Sequence, residues 1–501
     1  MNKNINIIIL ILLSLLFSQM GTDRSTNFRF VEQIDYSINN FQNETDLIEF
    51  INSVVELNQL PGLSTLIVKG EQVIWDHYFG YSNLEDSLLV DENTMFSLAS
   101  VSKTITATAL MQLWEQDMFE LDDDIDPYLP FNVNHPDYPF SPITFKMLLT
   151  HTSGIKDNWN VMPYYEGDSE LELGYYLEQY LTSEGNLYNP NASFTNSTPG
   201  TNYSYSNIAV ALIGYLVEMI SDMPFNEYCN ENIFGPLEMN NTAWFLHEID
   251  DIDQIAMPYS LSGGNGNNCY DIGCGIYDES NPCFCDSECT YYDDCCSDYD
   301  EVCGEDGTGS SEDAFALIPI NHYGYSDYPS GQLRTSALDL SRILTSYING
   351  GQYNGIQILE QETIDLMQTA QIPFIDSEQG IIWYYKTSNQ RTLFGHNGGD
   401  LGTITEMFYS VSDDIGVIVL CNTSNYYAVI EVENALFDFA EQQNSEQLGD
   451  VNQDELLNVQ DVIILVNLII NDQYNYLGDI NQDQENNIQD IILLVSMIIN
   501  S

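Results

Sequence analysis

The sequence predicts an α+β domain, interrupted by a small disulfide-rich insert and followed by a small all-α calcium-loop module. Strand-type apolar patterns stand at both ends of the main segment, with helical spacing between them. Eight of the ten cysteines crowd between Cys269 and Cys303, and a motif recurs at an interval of 29 residues near the C-terminus. The 501 residues carry 76 Asp plus Glu against 11 Lys plus Arg, a net charge of −65. At roughly 100 to 200 residues per domain, that length predicts two to four domains. The charge repels phosphate backbones and anionic lipid, which excludes nucleic acid as an expected partner. A hydrophobic content of 44% still supplies a packed core.

The elements follow in chain order. Lys3 precedes an apolar run from Ile7 to Phe17, which has the length of a secretory core and is too short to span a bilayer. Residues 1–21 are expected to be a signal peptide cleaved near Ser18 to Gly21, with an uncleaved anchor as the alternative. The expected location is secreted, extracellular or on the cell surface, with no membrane span after cleavage. STLIVKGEQVIWDHYFG predicts a hairpin, TITATALMQLWEQ a helix, and TITEMFYSVSDDIGVIVLCN two further strands. Together they imply one discontinuous domain over residues 30–260 and 315–443.

The insert, residues 265–305, holds Cys269, Cys274, Cys283, Cys285, Cys289, Cys295, Cys296 and Cys303; Cys229 and Cys421 stand outside it. So acidic and short a segment buries too little apolar surface to hold itself together, so a disulfide framework is expected. A zinc cluster is the weaker alternative, because no His interleaves and the compartment is oxidising. The flanks SLSGGNGNN and GEDGTGSSEDA read as tethers.

Within the duplicated segment, residues 448–500, oxygen side chains occupy positions 1, 3, 5, 9 and 12 of each copy. They are Asp450, Asn452, Asp454, Asn458 and Asp461, then Asp479, Asn481, Asp483, Asn487 and Asp490, each set leading into an apolar helix. This is the ligand spacing of a calcium loop, because Ca²⁺ takes six to eight oxygens. Glu455 and Gln484 stand at position 6, where a calcium loop favours Gly for its sharp turn. The alternative is a pair of acidic helix caps.

For chemistry, Ser100 and Lys103 form an i, i+3 pair at the start of the TITATALMQLWEQ helix. There a buried amine of lowered pKa takes the serine proton, and the helix N-terminus favours the developing negative charge. Ser153 and Lys156 share the spacing but sit in a turn-like segment. Tyr205 and Asn207 follow a Pro-Gly turn and open IAVALIGYLVE; Tyr81 with Asn83 and Tyr347 with Asn349 are rivals by spacing. His396, ahead of Gly398 and Gly399, makes a Gly-rich approach to the strand TITEMFYS and is preferred to His322.

FSLASVSK, LLTHTSG, YSYSN, YPSGQLRTSALDLSR and GHNGG, in that order, resemble the serine β-lactamase and penicillin-binding protein family of the class C type. The resemblance implies a β-lactamase/transpeptidase-like antiparallel sheet flanked by helices. It implies Ser100 as the acylated nucleophile, Lys103 and Tyr205 sharing the proton transfer, and Asn207 orienting the substrate. The N–H groups of Ser100 and Gly399 are the implied oxyanion hole, and His396 stands where many members carry the Lys of a Lys-Thr-Gly motif. That His is mostly neutral near pH 7, which weakens attraction for a substrate carboxylate. No cofactor is expected for catalysis. The CYDIGCGIYDESNPCFCDSECTYYDDCCSDYDEVC run resembles a somatomedin B domain, a type that usually binds other proteins. It implies the bridges Cys269–Cys285, Cys274–Cys303, Cys283–Cys296 and Cys289–Cys295. The duplicated loops resemble a dockerin type I module, implying structural calcium and a cohesin-like or cell-surface protein partner.

The functional expectation is a secreted serine hydrolase acting through an acyl-enzyme on a D-amino-acid peptide, an ester or a β-lactam-like amide. The alternative is a catalytically idle scaffold that serves as an extracellular binding or adhesion protein.

Overall fold

The computed structural model describes residues 39–41, 43–261, 317–444, 448–452, 456–471, 473–481 and 485–500. The signal segment, the insert with its eight cysteines, Asp454 and Asp483 lie outside the described residues. The chain divides into two compact units, one holding 51–433 and the other 37–50 with 434–501. Among the described residues no single helix is long and apolar enough to cross a membrane.

The larger unit is built on a seven-stranded antiparallel sheet. The expected hairpin is β1 (Gly62–Lys69) and β2 (Gln72–Asn83), with β3 (Leu88–Leu89) beside it. Its turn is allowed by Gly70, which sits at φ 55° with no atom near a would-be Cβ. The later strands are β4 (Tyr384–Ser388), β5 (Arg391–Asp400), β6 (Thr403–Ser410) and β7 (Ile415–Cys421), and the sheet order is β4-β5-β6-β7-β1-β2-β3. Every residue of β6 and β7 is buried, which is why these strands read as near-continuous apolar runs. Cys421 and the helical Cys229 are buried free thiols.

The expected helix is α1 (Ser102–Glu115), buried without interruption from Ser102 to Leu113. Its threonines tolerate that burial because their hydroxyls bond back to the helix: Thr104 to the Val101 carbonyl at 2.7 Å and Thr108 to that of Thr104 at 2.8 Å. Beside it lies α2 (Asn207–Ser221), whose first two and a half turns are buried. Ser206 caps it by accepting from the Ala209 N–H at 3.0 Å.

Two local expectations need correction. Ser100 does not sit on the α-helix; it lies in a 3₁₀ turn, Ala99–Val101, that precedes it. Ala99 takes φ 47°, a left-handed conformation that an alanine adopts only under constraint, and this breaks the helix one turn early. Likewise His396 to Gly399 form no turn before a strand: they are the interior of β5, paired in register with Met407 to Ile404 of β6. Glycine lowered the strand signal there, and cross-strand pairing overrides it.

In the smaller unit, α3 (Val459–Ile470) and α4 (Ile488–Asn500) pack around Val451, Leu465 and Leu494.

Candidate active site

The geometry begins with Lys103, whose side chain is fully enclosed. Its Nζ lies 3.0 Å from Ser100 Oγ, 2.6 Å from Asn207 Oδ1 and 2.6 Å from the Ser330 carbonyl. An amine placed against three acceptors in this way is orientationally fixed. It also lies over the Tyr205 ring, 4.9 Å from the centroid. Two residue pairs about a hundred positions apart, Ser100 with Lys103 and Tyr205 with Asn207, are thus brought together, while Ser153, the rival serine, lies buried in an ordered bend elsewhere.

The Tyr205 hydroxyl is buried without a well-formed hydrogen bond among the described residues. Burial holds it well above the ordinary phenol range, opposed in part by the Ser100 hydroxyl beside it. Tyr205 therefore keeps its proton at neutral pH.

Two supports escaped the sequence reading. Asp157 accepts from Ser206 Oγ at 3.1 Å, the Asn207 N–H at 3.0 Å, Asn207 Nδ2 at 2.9 Å and the Ile208 N–H at 3.1 Å. It thereby stabilises the start of α2 and fixes the amide of Asn207 so that Oδ1, not Nδ2, meets Lys103. Burial pushes the Asp157 carboxyl up, and the N–H donors of Asn207 and Ile208 oppose that shift. A lone Asp carries no sequence signal. Asp157→Ala is expected to lower stability by about 1–3 kcal/mol and kcat by tenfold or more, measured by thermal melting and ester turnover. An unchanged kcat would remove Asp157 from the site.

His151, inside the LLTHTSG motif, grips three successive residues. Its carbonyl accepts from the Ser204 N–H at 2.7 Å, its Nδ1 from the Ser206 N–H at 3.2 Å, and its ring packs on that of Tyr205 at 4.4 Å. It holds φ 54° while doing so.

His396, Gly398 and Asp400 alternate onto one face of β5, the face turned to the nucleophile turn. A Cβ on Gly398 would stand 2.3 Å from the Leu98 carbonyl oxygen, 2.4 Å from Thr405 Oγ1 and 3.0 Å from the Ser100 nitrogen. The absent side chain is what lets strand and turn meet. The turn is also pinned by Thr405 Oγ1 on the Leu98 carbonyl at 2.8 Å and Thr403 Oγ1 on that of Ser97 at 3.0 Å. From the other side, the Leu333 carbonyl accepts from the Leu98 N–H at 2.8 Å. β4 ends opposite Gly395, so among the described residues no strand covers 396–400 on that side. Gly399 lies on this open edge.

His396 is buried, with its Nδ1 donating to the Asn397 carbonyl at 2.6 Å and its ring 6.4 Å from Tyr205. The rival His322 is pushed down to about 4 by burial and by Arg334, and its carbonyl accepts from the Gly167 N–H at 2.9 Å. On the opposite face of β5, Asn397 accepts from the Tyr384 hydroxyl at 2.9 Å. Beneath it the buried Lys386 holds Glu406 and Glu433, each at 2.8 Å. Burial, with Glu433 nearby, raises the Glu406 carboxyl to about 8 despite Lys386.

The calcium candidates divide. Asp450, Asp461, Asp479 and Asp490 are buried, and each position-12 carboxylate closes its own loop on backbone N–H groups: Asp461 on Asn458 at 2.9 Å, Asp490 on Asn487 at 2.9 Å. Asn452 and Asn481 each place a backbone N–H on the same carboxylates. Among the described residues no three His, Cys, Asp or Glu side chains converge on a common point for a metal.

The family profile described as Beta-lactamase matches residues 48–436. The chain belongs to the beta-lactamase family. Similar curated proteins include Penicillin-binding protein 4* of Bacillus subtilis, 26% identical over 215 residues, covering 41% of this chain and 43% of that protein. Protein flp of Staphylococcus aureus is 25% identical over 237 residues, covering 45% and 42%. The chain thus spans less than half the length of these relatives. Among solved structures, the octameric penicillin-binding protein homologue from Pyrococcus abyssi aligns with TM-score 0.54 and 23% identity over 85% of this chain and 81% of that one. The D-amino acid amidase from Ochrobactrum anthropi SV3, complexed with D-phenylalanine, aligns with TM-score 0.56 and 18% identity over 79% and 99%. At these identities they speak for the fold alone.

Proposed function

We propose that the protein is a secreted serine hydrolase that works through an acyl-enzyme on Ser100, taking an ester or an amino-acid amide or peptide. The observation that carries this reading is the triple seating of Lys103 Nζ on Ser100, Asn207 and Ser330. In a neutral amine, the Asn207 and Ser330 oxygens hold two N–H groups and leave the lone pair directed at Ser100.

Ser100 Oγ attacks the substrate carbonyl carbon as its proton passes to Lys103, with the protonated Tyr205 adjoining. The carbonyl electrons move to oxygen, where the N–H groups of Ser100 and Gly399 stabilise the anion. Tyr205, refilled from Lys103, donates to the leaving nitrogen or oxygen as its bond to carbon breaks. Water then attacks the acyl-Ser100 ester, releases the acid and returns the proton to Ser100. His396, with Nδ1 committed as a donor to the Asn397 carbonyl, is not the permanent cation that a lysine would offer a substrate carboxylate. This favours esterase or D-peptidase chemistry over a dedicated β-lactamase.

The test is turnover of p-nitrophenyl acetate and of the two enantiomers of alanine p-nitroanilide. Release of nitrophenol or nitroaniline is expected; folded protein that releases neither overturns the reading in favour of an idle binding scaffold.

We further propose two structural calcium ions in the C-terminal unit, with a cohesin-like or cell-surface protein as its partner and the inserted cysteine module as a second binding element. Four buried carboxylates in a segment, 448–500, without a single Lys, Arg or His fit a hard cation with oxygen ligands. Calcium is expected to raise the thermal midpoint of the full chain and chelation to lower it, an effect absent in the Asp461→Ala, Asp490→Ala double variant. No shift with calcium would contradict the metal.

A further inference from the structure

Asp400 ends the substrate-facing side of β5 and has no part in the acyl transfer above. Strand alternation sets it on the same face as Gly398, about 7 Å further along the strand. Gly398 in turn abuts the Ser100 nitrogen. A second route leads to the same place. Tyr164 donates its hydroxyl to Asp400 Oδ1, and its ring packs on Tyr323 at 5.0 Å and on Tyr325 at 6.1 Å. The Tyr325 hydroxyl reaches back to the nucleophile turn: it would lie 2.3 Å from a Cβ on Gly331, whose other near neighbour is Ala99. Asp400 and Tyr164 are part-exposed, and the buried Tyr323 and Tyr325 back them on the side that leads to the nucleophile turn.

The charges here are one-sided. Besides Tyr164, the carboxylate Oδ1 accepts from the Leu401 N–H at 2.9 Å. Among the described residues Asp400 has no ion pair. The nearest cation, Arg334, is buried and directs its N–H groups to the carbonyls of Trp244, Gln332 and Tyr323. Its charge is shared by Asp168 and Asp400. Lys103 serves Ser100, and Lys386 lies between two glutamates on the other face of the sheet. No Lys or Arg occurs between 262 and 316, so the insert supplies no counter-charge. Among the described residues no Lys or Arg is ion-paired to Asp400 to receive a substrate carboxylate, and Arg334 is buried on backbone carbonyls. An ammonium group meets the part-exposed Asp400 carboxylate, with the Tyr164 hydroxyl beside it, a pairing that attracts cations by charge.

We propose that Asp400, framed by Tyr164, Tyr323 and Tyr325, recognises a free ammonium group on the acyl part of the substrate, so that acyl donors with an unblocked amine are preferred. This rests on the acyl-enzyme reading above and names its substrate class. The specificity is electrostatic, so it weakens as ionic strength rises.

The test compares kcat/KM for alanine p-nitroanilide with that for its N-acetyl form, for both enantiomers, alongside p-nitrophenyl acetate. The free amine is expected to be favoured by at least about tenfold in one enantiomer, and 0.5 M NaCl to reduce that ratio. Asp400→Asn, checked for an unchanged melting profile, is expected to shrink the ratio by about tenfold. Equal or better turnover of the N-acetyl form, or a ratio unmoved by Asp400→Asn, overturns the proposal. If p-nitrophenyl acetate is turned over in those cases, the acyl-enzyme reading stands and only the amine preference falls. If it is not, the acyl-enzyme reading falls first.

Discussion

Ser100→Ala is expected to lower turnover of p-nitrophenyl acetate by about 10⁴-fold or more while leaving the fold intact. In the proposed reaction Ser100 supplies the atom that becomes bonded to substrate, and loss of a covalent nucleophile elsewhere reduces kcat by factors of this order. The substitution also removes one of the three acceptors around Lys103 Nζ, leaving Asn207 Oδ1 and the Ser330 carbonyl at 2.6 Å each. Two good acceptors remain for the buried amine, so the stability change should stay within about 1 kcal/mol. Residual hydrolysis above about 1% of the wild type, in pure and folded protein, would mean that another group carries the reaction.

The second large effect is expected from Gly398→Ala, which adds one methyl group and no chemistry. That methyl would stand 2.3 Å from the Leu98 carbonyl oxygen and 3.0 Å from the Ser100 nitrogen, inside contact distance of backbone on both sides. Neither atom is the end of a flexible chain, so the strand and the nucleophile turn must separate. The turn is already held by hydrogen bonds to Thr403 and Thr405, and Ala99 within it is strained at φ 47°. A displacement of about 1 Å at a reacting group is worth about 10² in rate, and overpacking costs about 1–3 kcal/mol. We expect kcat to fall by 10² or more with a modest loss in melting temperature. Wild-type kcat in this variant would show that the close approach of β5 to Ser100 has no catalytic weight.

Much of this site was legible in the sequence because its chemistry is carried by residue types with few other uses in such positions. The Ser100–Lys103 pair, Tyr205 with Asn207, and the His396 to Gly399 stretch each stood out by residue type, and Ser100, Tyr205 and Asn207 meet around the Lys103 amine. The hairpin, the buried helix and the last two strands of the sheet were legible for a simpler reason: their apolar periodicities match burial on one or both faces. What was not legible depends on distance in sequence. Asp157 holds Ser206, Asn207 and Ile208 from 49 to 51 residues away, through four hydrogen bonds that no spacing announces, two of them from Asn207. Lys386, Glu406 and Glu433 look like ordinary surface charges until the fold buries them together. The glycines of β5 read as a loop because their propensity is local, whereas the pairing with β6 that holds them extended is not.

The helix boundary at Ser100 has the same lesson. Sequence spacing placed serine and lysine on one helical turn, which gives roughly the right separation. The turn is tighter, and Ala99 within it is strained at φ 47°.

The most direct test of the account is intact-mass spectrometry of the folded full chain after incubation with a fluorophosphonate and, separately, with a penicillin, followed by peptide mapping. A single adduct on Ser100, absent in Ser100→Ala, is the predicted result. A folded protein that takes up neither reagent, or that carries the adduct on another residue, would contradict the claim that Ser100 is the nucleophile.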